Sequence, residues 1–181
     1  MNFLTMTRAK EFRLQKSIYE SDILKSAEST YGKNCFLSHS SKDKEYLSGV
    51  ISFLEKFGAK VYIDKEDQLL PKTTSRETAE GLKARIRENK RLVILASTNS
   101  KTSRWIPWEI GLADGIKNLD SIAILPLTTS DDESAFSWPE QEYFSLYKQI
   151  VQGPIEGSTG NQWMVLDRKA NTAHLLNDWL S

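Results

Sequence analysis

The sequence predicts an α/β fold in which helices cover both faces of a parallel sheet. Four brief apolar runs, rich in isoleucine, valine and leucine, are typical of strands buried on both faces; they span residues 34–39, 59–64, 91–97 and 121–127. Longer stretches with helical spacing separate them, and such alternation is the signature of β-α-β units. With a weaker fifth strand at 162–167, the pattern predicts a flavodoxin-like three-layer sandwich around a five-stranded parallel sheet.

Helical periodicity predicts the layers that cover this sheet. In residues 43–57 apolar side chains recur at helical spacing, and Gly58 supplies a stop signal. Further helices are predicted at 75–89, 104–119, 141–151 and 171–180. Residues 1–30 carry apolar side chains at looser spacing, and we expect a helical extension that packs on the domain at 31–181 or on a neighbouring subunit.

Composition narrows the function classes. The 181 residues suit one domain with its own core. Lysine plus arginine equal aspartate plus glutamate at 24 each, so no net charge favours nucleic acid or an anionic membrane as partner. No apolar stretch approaches the roughly 20 residues of a membrane span. The single cysteine, Cys35, cannot form an internal disulfide, and we expect a cytoplasmic protein.

Several kinds of chemistry are not encoded. No glycine-rich signature for a dinucleotide or a triphosphate follows any predicted strand. With two histidines and one cysteine, a zinc site would need several carboxylates, so we expect no metal. A nucleophilic pair of Cys35 and His174 is disfavoured because Cys35 falls in the middle of a predicted strand.

The loops at the carboxyl ends of the strands are the predicted ligand site. Open parallel sheets bind ligands there, where the strand order reverses. This rule points to the loops that follow His39, Asp64, Ser97 and Leu127, and Ser38, His39, Asp64 and Ser97 are the candidate binding residues there. The stretch SHSSKD that begins at Ser38 has an alternative role as the cap of the next helix, which Ser40 would perform.

Two adjacent leucines, Leu69 and Leu70, lie in the long polar loop after Asp64. They indicate a flap or contact surface, or they tuck back onto the domain; the pattern favours neither. In the first case Leu70 is a candidate for contacting substrate.

The stretch SRWIPWEIGLADG places an acid on a mostly apolar helix. Trp105 and Glu109 are four residues apart and therefore neighbours on one face. Burying a carboxylate there costs free energy unless a hydrogen-bond donor or a positive charge lies beside it. Glu109 is either the working group of a pocket or a residue at the border of the buried stripe, in an early turn that favours negative charge. Pro107 predicts that the helix begins a residue or two later than residue 104.

In this order, these segments resemble the TIR domain family over about residues 33–127. The run CFLSHSSKDKEYLSGVISFLEKFGAKVYID resembles the family's first strand, first helix and second strand, and the loop after it occupies the place of the mobile BB loop. RLVILAS, followed by Ser103, Trp105 and Glu109 in the spacing S-x-W-x-x-x-E, resembles the third strand and the next helix. The Trp-x-x-x-Glu spacing is the specific part of this resemblance.

The resemblance implies an enzyme that cleaves NAD+ at the nicotinamide–ribose bond, with Glu109 catalytic and NAD+ as substrate rather than cofactor. Substrate contacts are then expected from Trp105, Ser38, His39, Asp64, Leu70 and Ser97. A stand-alone chain of this kind resembles the signal-making component of Thoeris-type antiphage systems, whose nucleotide product reaches a separate effector protein. Family members assemble so that BB loops complete neighbouring sites, which implies a homo-oligomer through TIR–TIR contacts.

The chemistry explains why one acid would suffice. Nicotinamide leaves NAD+ as a neutral molecule, whereas an ordinary glycosidase needs a second carboxyl group to protonate its leaving oxygen. Water as acceptor gives ADP-ribose, an internal hydroxyl or adenine nitrogen gives a cyclic product, and an outside base gives exchange; the sequence leaves these open. Two other classes remain as alternatives: a non-catalytic TIR interaction module that uses Leu69, Leu70 and the helix at 75–89, and an enzyme of the deoxyribosyltransferase type.

Overall fold

A computed structural model of the chain describes residues 1–14, 19–64, 76–103, 105–129 and 142–181. The strands in these ranges are β1 (Leu4–Thr5), β2 (Cys35–Ser38), β3 (Val61–Tyr62), β4 (Arg91–Ala96), β5 (Ile122–Thr128), β6 (Lys148–Pro154), β7 (Asn161–Asp167) and β8 (Thr172–Leu175). The α-helices are α1 (Met6–Leu14), α2 (Glu20–Glu28), α3 (Lys44–Lys56), α4 (Arg76–Glu88), α5 (Trp105–Ile116) and α6 (Leu176–Leu180).

The strands form one sheet in the order β3-β2-β4-β5-β6-β7-β8, and β1 pairs alongside β5. Neighbours from β3 through to β6 run parallel, whereas β6, β7 and β8 pair antiparallel. Along the chain, β2 is the first of these five parallel strands, β3 the second, and β4, β5 and β6 the third to fifth. Their order across the sheet is therefore 2-1-3-4-5, which is the flavodoxin-like order. This confirms the predicted fold class, and it places the reversal of strand order between β2 and β4.

Two apolar cores, one on each face of the sheet, join it to the helices. Because side chains alternate along a strand, Val93 and Leu95 of β4 lie in one core and Leu92 and Ile94 in the other. Helices α1, α2, α3 and α6 contribute to the first core, and α4 and α5 to the second. The predicted helices at 43–57, 75–89 and 104–119 correspond to α3, α4 and α5. Among the described helices, none has the length and apolar character that a membrane span requires.

The fifth parallel strand differs from the prediction. The helix predicted at 141–151 is wrong: a 3₁₀ turn at Glu142–Leu146 leads into β6, where Ile150 and Val151 are both fully buried. A short run buried on both faces has no periodicity that separates a strand from a helix, which is the cause of the error. The segment 162–167 is a strand, β7, but it runs antiparallel. The fifth parallel strand is therefore β6.

The helix predicted at 171–180 is correct only in its second half. Residues before α6 form β8, which pairs antiparallel with β7. At the turn between them the Asp167 carboxylate accepts hydrogen bonds from the backbone of Lys169 and Ala170, at 3.0 and 2.9 Å. Asn171 completes the turn with φ of 52°, a left-handed conformation that asparagine tolerates. These turn contacts favour a hairpin over a continuous helix.

The described part of residues 1–30 packs on the sheet's first face. β1 pairs in parallel with the end of β5, and α1 lies against α3. The approach is close, because a Cβ added at Gly49 of α3 would lie 1.8 Å from the carbonyl oxygen of Ala9. Only glycine fits at this helix crossing. The extension at 1–30 thus contains two helices that contact the domain, and the boundary at residue 30 stays a prediction.

Candidate active site at the carboxyl end of the parallel strands

Helix α5 begins above the carboxyl end of the sheet. The Ser103 hydroxyl accepts a hydrogen bond from the Ile106 N–H at 3.3 Å, so one of the unpaired donors of the first turn is satisfied. The described helix starts at Trp105, which places Pro107 at its third residue. A first-turn N–H has no acceptor within the helix, so proline is tolerated there. Residue 104 lies outside the described residues, so the late start expected from Pro107 stays a prediction.

Glu109 lies on the buried face of α5, in a stripe that includes Ile106, Ile110 and Ala113. The residue is only 4% exposed. Its Oε2 accepts a hydrogen bond from Oγ of Ser38, the last residue of β2, which is 2% exposed. A buried carboxylate needs such a donor because burial removes it from water. The acid thus faces inward, with a specific partner at the strand-order reversal.

His39, directly after Ser38, is a neutral group in this site. The side chain is almost fully buried, and its Nδ1 lies 3.5 Å from the Leu37 carbonyl oxygen. Burial lowers the pKa of the imidazole to about 4, since a charged ring would lose its hydration. At pH 7 His39 is therefore uncharged and contributes hydrogen-bonding capacity rather than positive charge.

The loop after β2 contains both a cap and a buried acid. Ser40 caps the short turn Ser41–Asp43, because its hydroxyl accepts from the Lys42 N–H at 3.4 Å. This is the capping role that the sequence offered as an alternative. Asp43 precedes α3 but makes no side-chain cap to that helix. Its carboxylate is used elsewhere.

Asp43 links the loop after β2 to the loop after β4. Its Oδ2 accepts a hydrogen bond from Ser97 Oγ at 2.7 Å, and its Oδ1 accepts from Asn99 Nδ2 at 2.6 Å. Burial raises the pKa of the Asp43 carboxyl, while the hydrogen bonds from Asn99 and Ser97 oppose that rise. Sequence reasoning gave no functional role to Asp43 or Asn99. The only signal was the position of Asp43 at the predicted start of a helix.

Two indoles flank the first turn of α5. Trp105 is partly buried and packs against the second core, and Trp108 is 37% exposed. Their ring centroids lie 5.6 Å apart with an interplanar angle of 82°, an edge-to-face contact. The pair forms an aromatic surface that extends from solvent to the turn of helix that carries Glu109.

The structure brings some of the predicted site residues together. Ser38 and Glu109 are in direct contact, and Ser97 lies one strand away, bonded to Asp43. Asp64 is half-buried beyond the end of β3, the neighbour of β2 on its other side. Leu69 and Leu70 lie outside the described residues. Within the ranges that the structure describes, no three histidine, cysteine or acidic side chains converge in a way that could hold a metal ion.

Comparisons with known proteins identify the family of this chain. The family model of the TIR domain matches residues 35–153. A probable 3′ cyclic ADP-D-ribose synthase, ThsB′, of Bacillus cereus (strain MSX-D12) is 35% identical over 167 residues, which cover 88% of this chain and 84% of that relative. A putative cyclic ADP-D-ribose synthase of Cytobacillus dafuensis is 31% identical over 113 residues, covering 58% of this chain and 29% of that relative.

Proposed function

This chain belongs to the TIR domain family, and we propose that it cleaves the nicotinamide–ribose bond of NAD+ to make a cyclic ADP-ribose signal. Two relatives that carry cyclic ADP-D-ribose synthase names support this activity, one of them over most of both chains. The observation that carries the proposal is the buried contact between Glu109 and Ser38 at the strand-order reversal.

Glu109 is the proposed catalytic residue. Breaking the bond between C1′ and the nicotinamide nitrogen sends the electron pair to the pyridinium ring, which leaves as neutral nicotinamide. No general acid is required, and the remaining task is to stabilise positive charge that grows at the ribose C1′. A carboxylate held in a site of low dielectric does this more strongly than one in water.

Ser38 prepares the carboxylate for this role. Its hydroxyl donates to one oxygen of Glu109 and so fixes the orientation of the group. A hydrogen bond to the ionised form of a carboxyl group also favours that form, which opposes the effect of burial. We therefore assign Ser38 to holding Glu109 in its charged state, in addition to the substrate contact that the sequence predicted.

The remaining predicted residues are proposed to bind the nucleotide. Trp105 offers a flat face for the nicotinamide or adenine ring, because aromatic rings stack favourably. Ser97 and His39 are neutral and line the same edge of the sheet, so they suit hydroxyl or phosphate oxygens. Asp64 and Leu70, from the loop after β3, are proposed to close the site from the other side.

The acceptor at C1′ determines the product. In the proposed reaction C1′ forms its new bond either to a hydroxyl oxygen or to an adenine nitrogen of the same molecule. In both cases the acceptor group releases one proton to solvent. Water competes as an acceptor and gives ADP-ribose instead. A site that excludes water favours the cyclic product. The names of both relatives support cyclisation rather than hydrolysis.

We place this reaction in the cytoplasm, as the signal-making step of antiphage defence, with a separate effector that binds the diffusible product. Copies of the chain are proposed to associate through TIR–TIR contacts. NAD+ is a substrate in this scheme, and neither metal nor further cofactor takes part. A non-catalytic interaction module is the alternative, and the synthase names of both relatives disfavour it.

Incubation of purified protein with NAD+, followed by mass spectrometry, tests the proposal. The wild type should release nicotinamide and form a product lighter than ADP-ribose by one water. Glu109→Gln should lower the rate by about 100-fold or more, the effect of losing one preorganised electrostatic group. Asp114→Asn is the matched control because it neutralises an exposed carboxylate of the same helix, and it should keep the wild-type rate.

Three results would contradict parts of the proposal. If the wild type leaves NAD+ intact at high protein concentration and with candidate activators, the non-catalytic alternative holds. ADP-ribose as sole product would remove the cyclisation step and keep the cleavage. Base release from deoxynucleosides with NAD+ untouched would identify the enzyme as a deoxyribosyltransferase type.

A further inference from the structure

We propose that Asp43 is a positioning residue that holds the start of α5, and with it Glu109, in the geometry needed for catalysis; this rests on the proposed function. Asp43 touches neither Glu109 nor a residue of α5 in the contacts described above. It acts through the segment between β4 and α5.

The same two segments of chain are joined twice. Ser38, at the end of β2, contacts Glu109 of α5. Five residues further on, Asp43 accepts hydrogen bonds from Ser97 and Asn99, which follow β4 and precede α5. Each contact therefore helps to hold the loop after β2 close to the β4–α5 segment, which makes the other contact easier to form. Loss of the second contact frees the β4–α5 segment and weakens the first.

The path from Asp43 to Glu109 is short and ordered by hydrogen bonds. Ser97 begins a 3₁₀ turn at Thr98–Thr102 with a reciprocal capping box to Ser100. That turn ends at Ser103, whose hydroxyl accepts from the first turn of α5. Glu109 lies in the next turn of the helix. A shift of the 3₁₀ turn is thus transmitted directly to the helix that carries the carboxylate.

The use of the Asp43 side chain supports a role beyond local structure. An aspartate at the start of a helix normally caps it, but Asp43 makes no cap to α3 and directs both oxygens to the other loop. The residue is fully buried, and burial raises its pKa. Keeping this carboxylate ionised at neutral pH therefore costs folding free energy. In return, the two hydrogen bonds of Asp43 fix the position of the β4–α5 segment.

Two substitutions at Asp43 separate geometry from charge. Asp43→Asn can still accept from Asn99 through its amide oxygen, and its amide nitrogen can donate to the Ser97 hydroxyl. Asp43→Ala removes both contacts, including the one that the buried Ser97 hydroxyl makes. We expect Asp43→Ala to lower kcat about 10-fold or more with a smaller change in KM, and Asp43→Asn to stay within about 3-fold of the wild type.

Asn89→Ala is the control for a general loss of stability. Asn89 is 4% exposed, and its side-chain amide donates to the Arg85 carbonyl at the opposite end of the sheet. This variant should lower the melting temperature while leaving kcat within about 2-fold of wild type. Asp43→Ala combined with Ser38→Ala should lower kcat by less than the product of the single effects, because both contacts hold the same segment.

Hydrogen exchange gives a readout that does not depend on NAD+ cleavage. Backbone amides of α5 should exchange faster in Asp43→Ala than in the wild type, and by a larger factor than in Asn89→Ala, whose lower stability speeds exchange throughout the chain. The inference is overturned if exchange in α5 is unchanged, if kcat of Asp43→Ala stays within about 2-fold of wild type, or if the Asn and Ala variants lose equal activity. A wild type that leaves NAD+ intact would defeat the proposed function alone, since the exchange result would still test the positioning of α5.

Discussion

The two ends of the parallel strands carry polar clusters of different character. At the carboxyl end two acids, Glu109 and Asp43, are buried and bonded to hydroxyl and amide groups. At the amino end an open cleft of about 250 Å³ is lined by four charged side chains, Arg91, Asp120, Lys148 and Asp178, together with His174 and Trp179. By openness and charge alone, the amino-end cleft would be the better candidate for a ligand site.

The contacts at the amino end are those of a surface that holds α6 in place. Arg91 Nε donates to the Trp179 carbonyl oxygen at 2.6 Å, and its guanidinium lies 4.8 Å from the centroid of the Trp179 ring. Lys148 Nζ lies 2.7 Å from Asp120 Oδ1, and the Asp120 side chain is 65% exposed. An exposed partner is hydrated whether or not the pair forms, so such a pair contributes little free energy.

This difference separates a candidate catalytic acid from an acid in a surface ion pair. A carboxylate in water or in an exposed ion pair gains little from its surroundings, whereas a buried one depends on each donor that it contacts. Glu109 has that dependence on Ser38, and Asp120 has no comparable dependence on Lys148. Burial with a specific donor therefore identifies the candidate site better than the number of charges does.

The largest effect in this comparison is expected from Ser38→Ala. Loss of a hydrogen bond to a buried charged group costs about 1.5–3 kcal/mol, which corresponds to about 10- to 160-fold in kcat/KM. Initial rates of NAD+ cleavage measure this effect.

Ser52→Ala is the matched control for that variant. Ser52 is as buried as Ser38, and its Oγ has no hydrogen-bond partner among the described residues. It lies in α3, away from the contact between β2 and α5. Equal losses in the two alanine variants would show that the Ser38 hydroxyl has no special relation to Glu109.

A smaller effect is expected from Trp105→Ala. If the indole face binds a ring of NAD+, the variant should raise KM or lower turnover by about 10-fold, since base–aromatic stacking contributes about 1–3 kcal/mol. Trp105→Phe should recover most of the loss because it keeps an aromatic face. Thermal melting is measured beside the kinetics. A melting temperature that collapses together with activity would instead assign Trp105 to the second core.

The burial of His39 should make the free energy of unfolding depend on pH. Because the ring is neutral at pH 7, it should not attract the charged phosphates of a nucleotide. Its pKa is about 4 in the folded chain and near 6.5 when unfolded, so the unfolded state binds the proton first. The stabilising contribution is complete above pH 6.5 and is lost as pH falls towards 4, by about 1.4 kcal/mol for each unit between the two pKa values. Denaturant unfolding at a series of pH values measures it.

The control for His39 is the other histidine of the chain. His174 is exposed, so His174→Asn should retain the pH dependence of the wild type, and His39→Asn should lose this part of it. A curve for His39→Asn that runs parallel to the wild type between pH 6.5 and 4 would show that His39 does not titrate as its burial requires.

The sequence predicted the parts of the site that depend on local pattern. Alternating strands and helices placed Ser38 and Ser97 at one edge of the sheet. The resemblance to the TIR family, through the Trp-x-x-x-Glu spacing, singled out Glu109. The contacts of Asp43 were not predictable, because its partners Ser97 and Asn99 lie 54 and 56 residues away along the chain. Local pattern shows that a polar side chain follows a strand, and only the fold shows which donor it meets.

The smallest effect should come from the amino-end cleft. Lys148→Met keeps the aliphatic part of a side chain that is 11% exposed and leaves Asp120 to be hydrated by water. We expect the rate of NAD+ cleavage to change by less than about 2-fold, and the free energy of unfolding by no more than about 1 kcal/mol. Steady-state rates and denaturant unfolding of the same preparation check both values. A loss of activity as large as that of Ser38→Ala would mean that the two ends of the sheet both serve the reaction, and burial would no longer distinguish the working site from the surface.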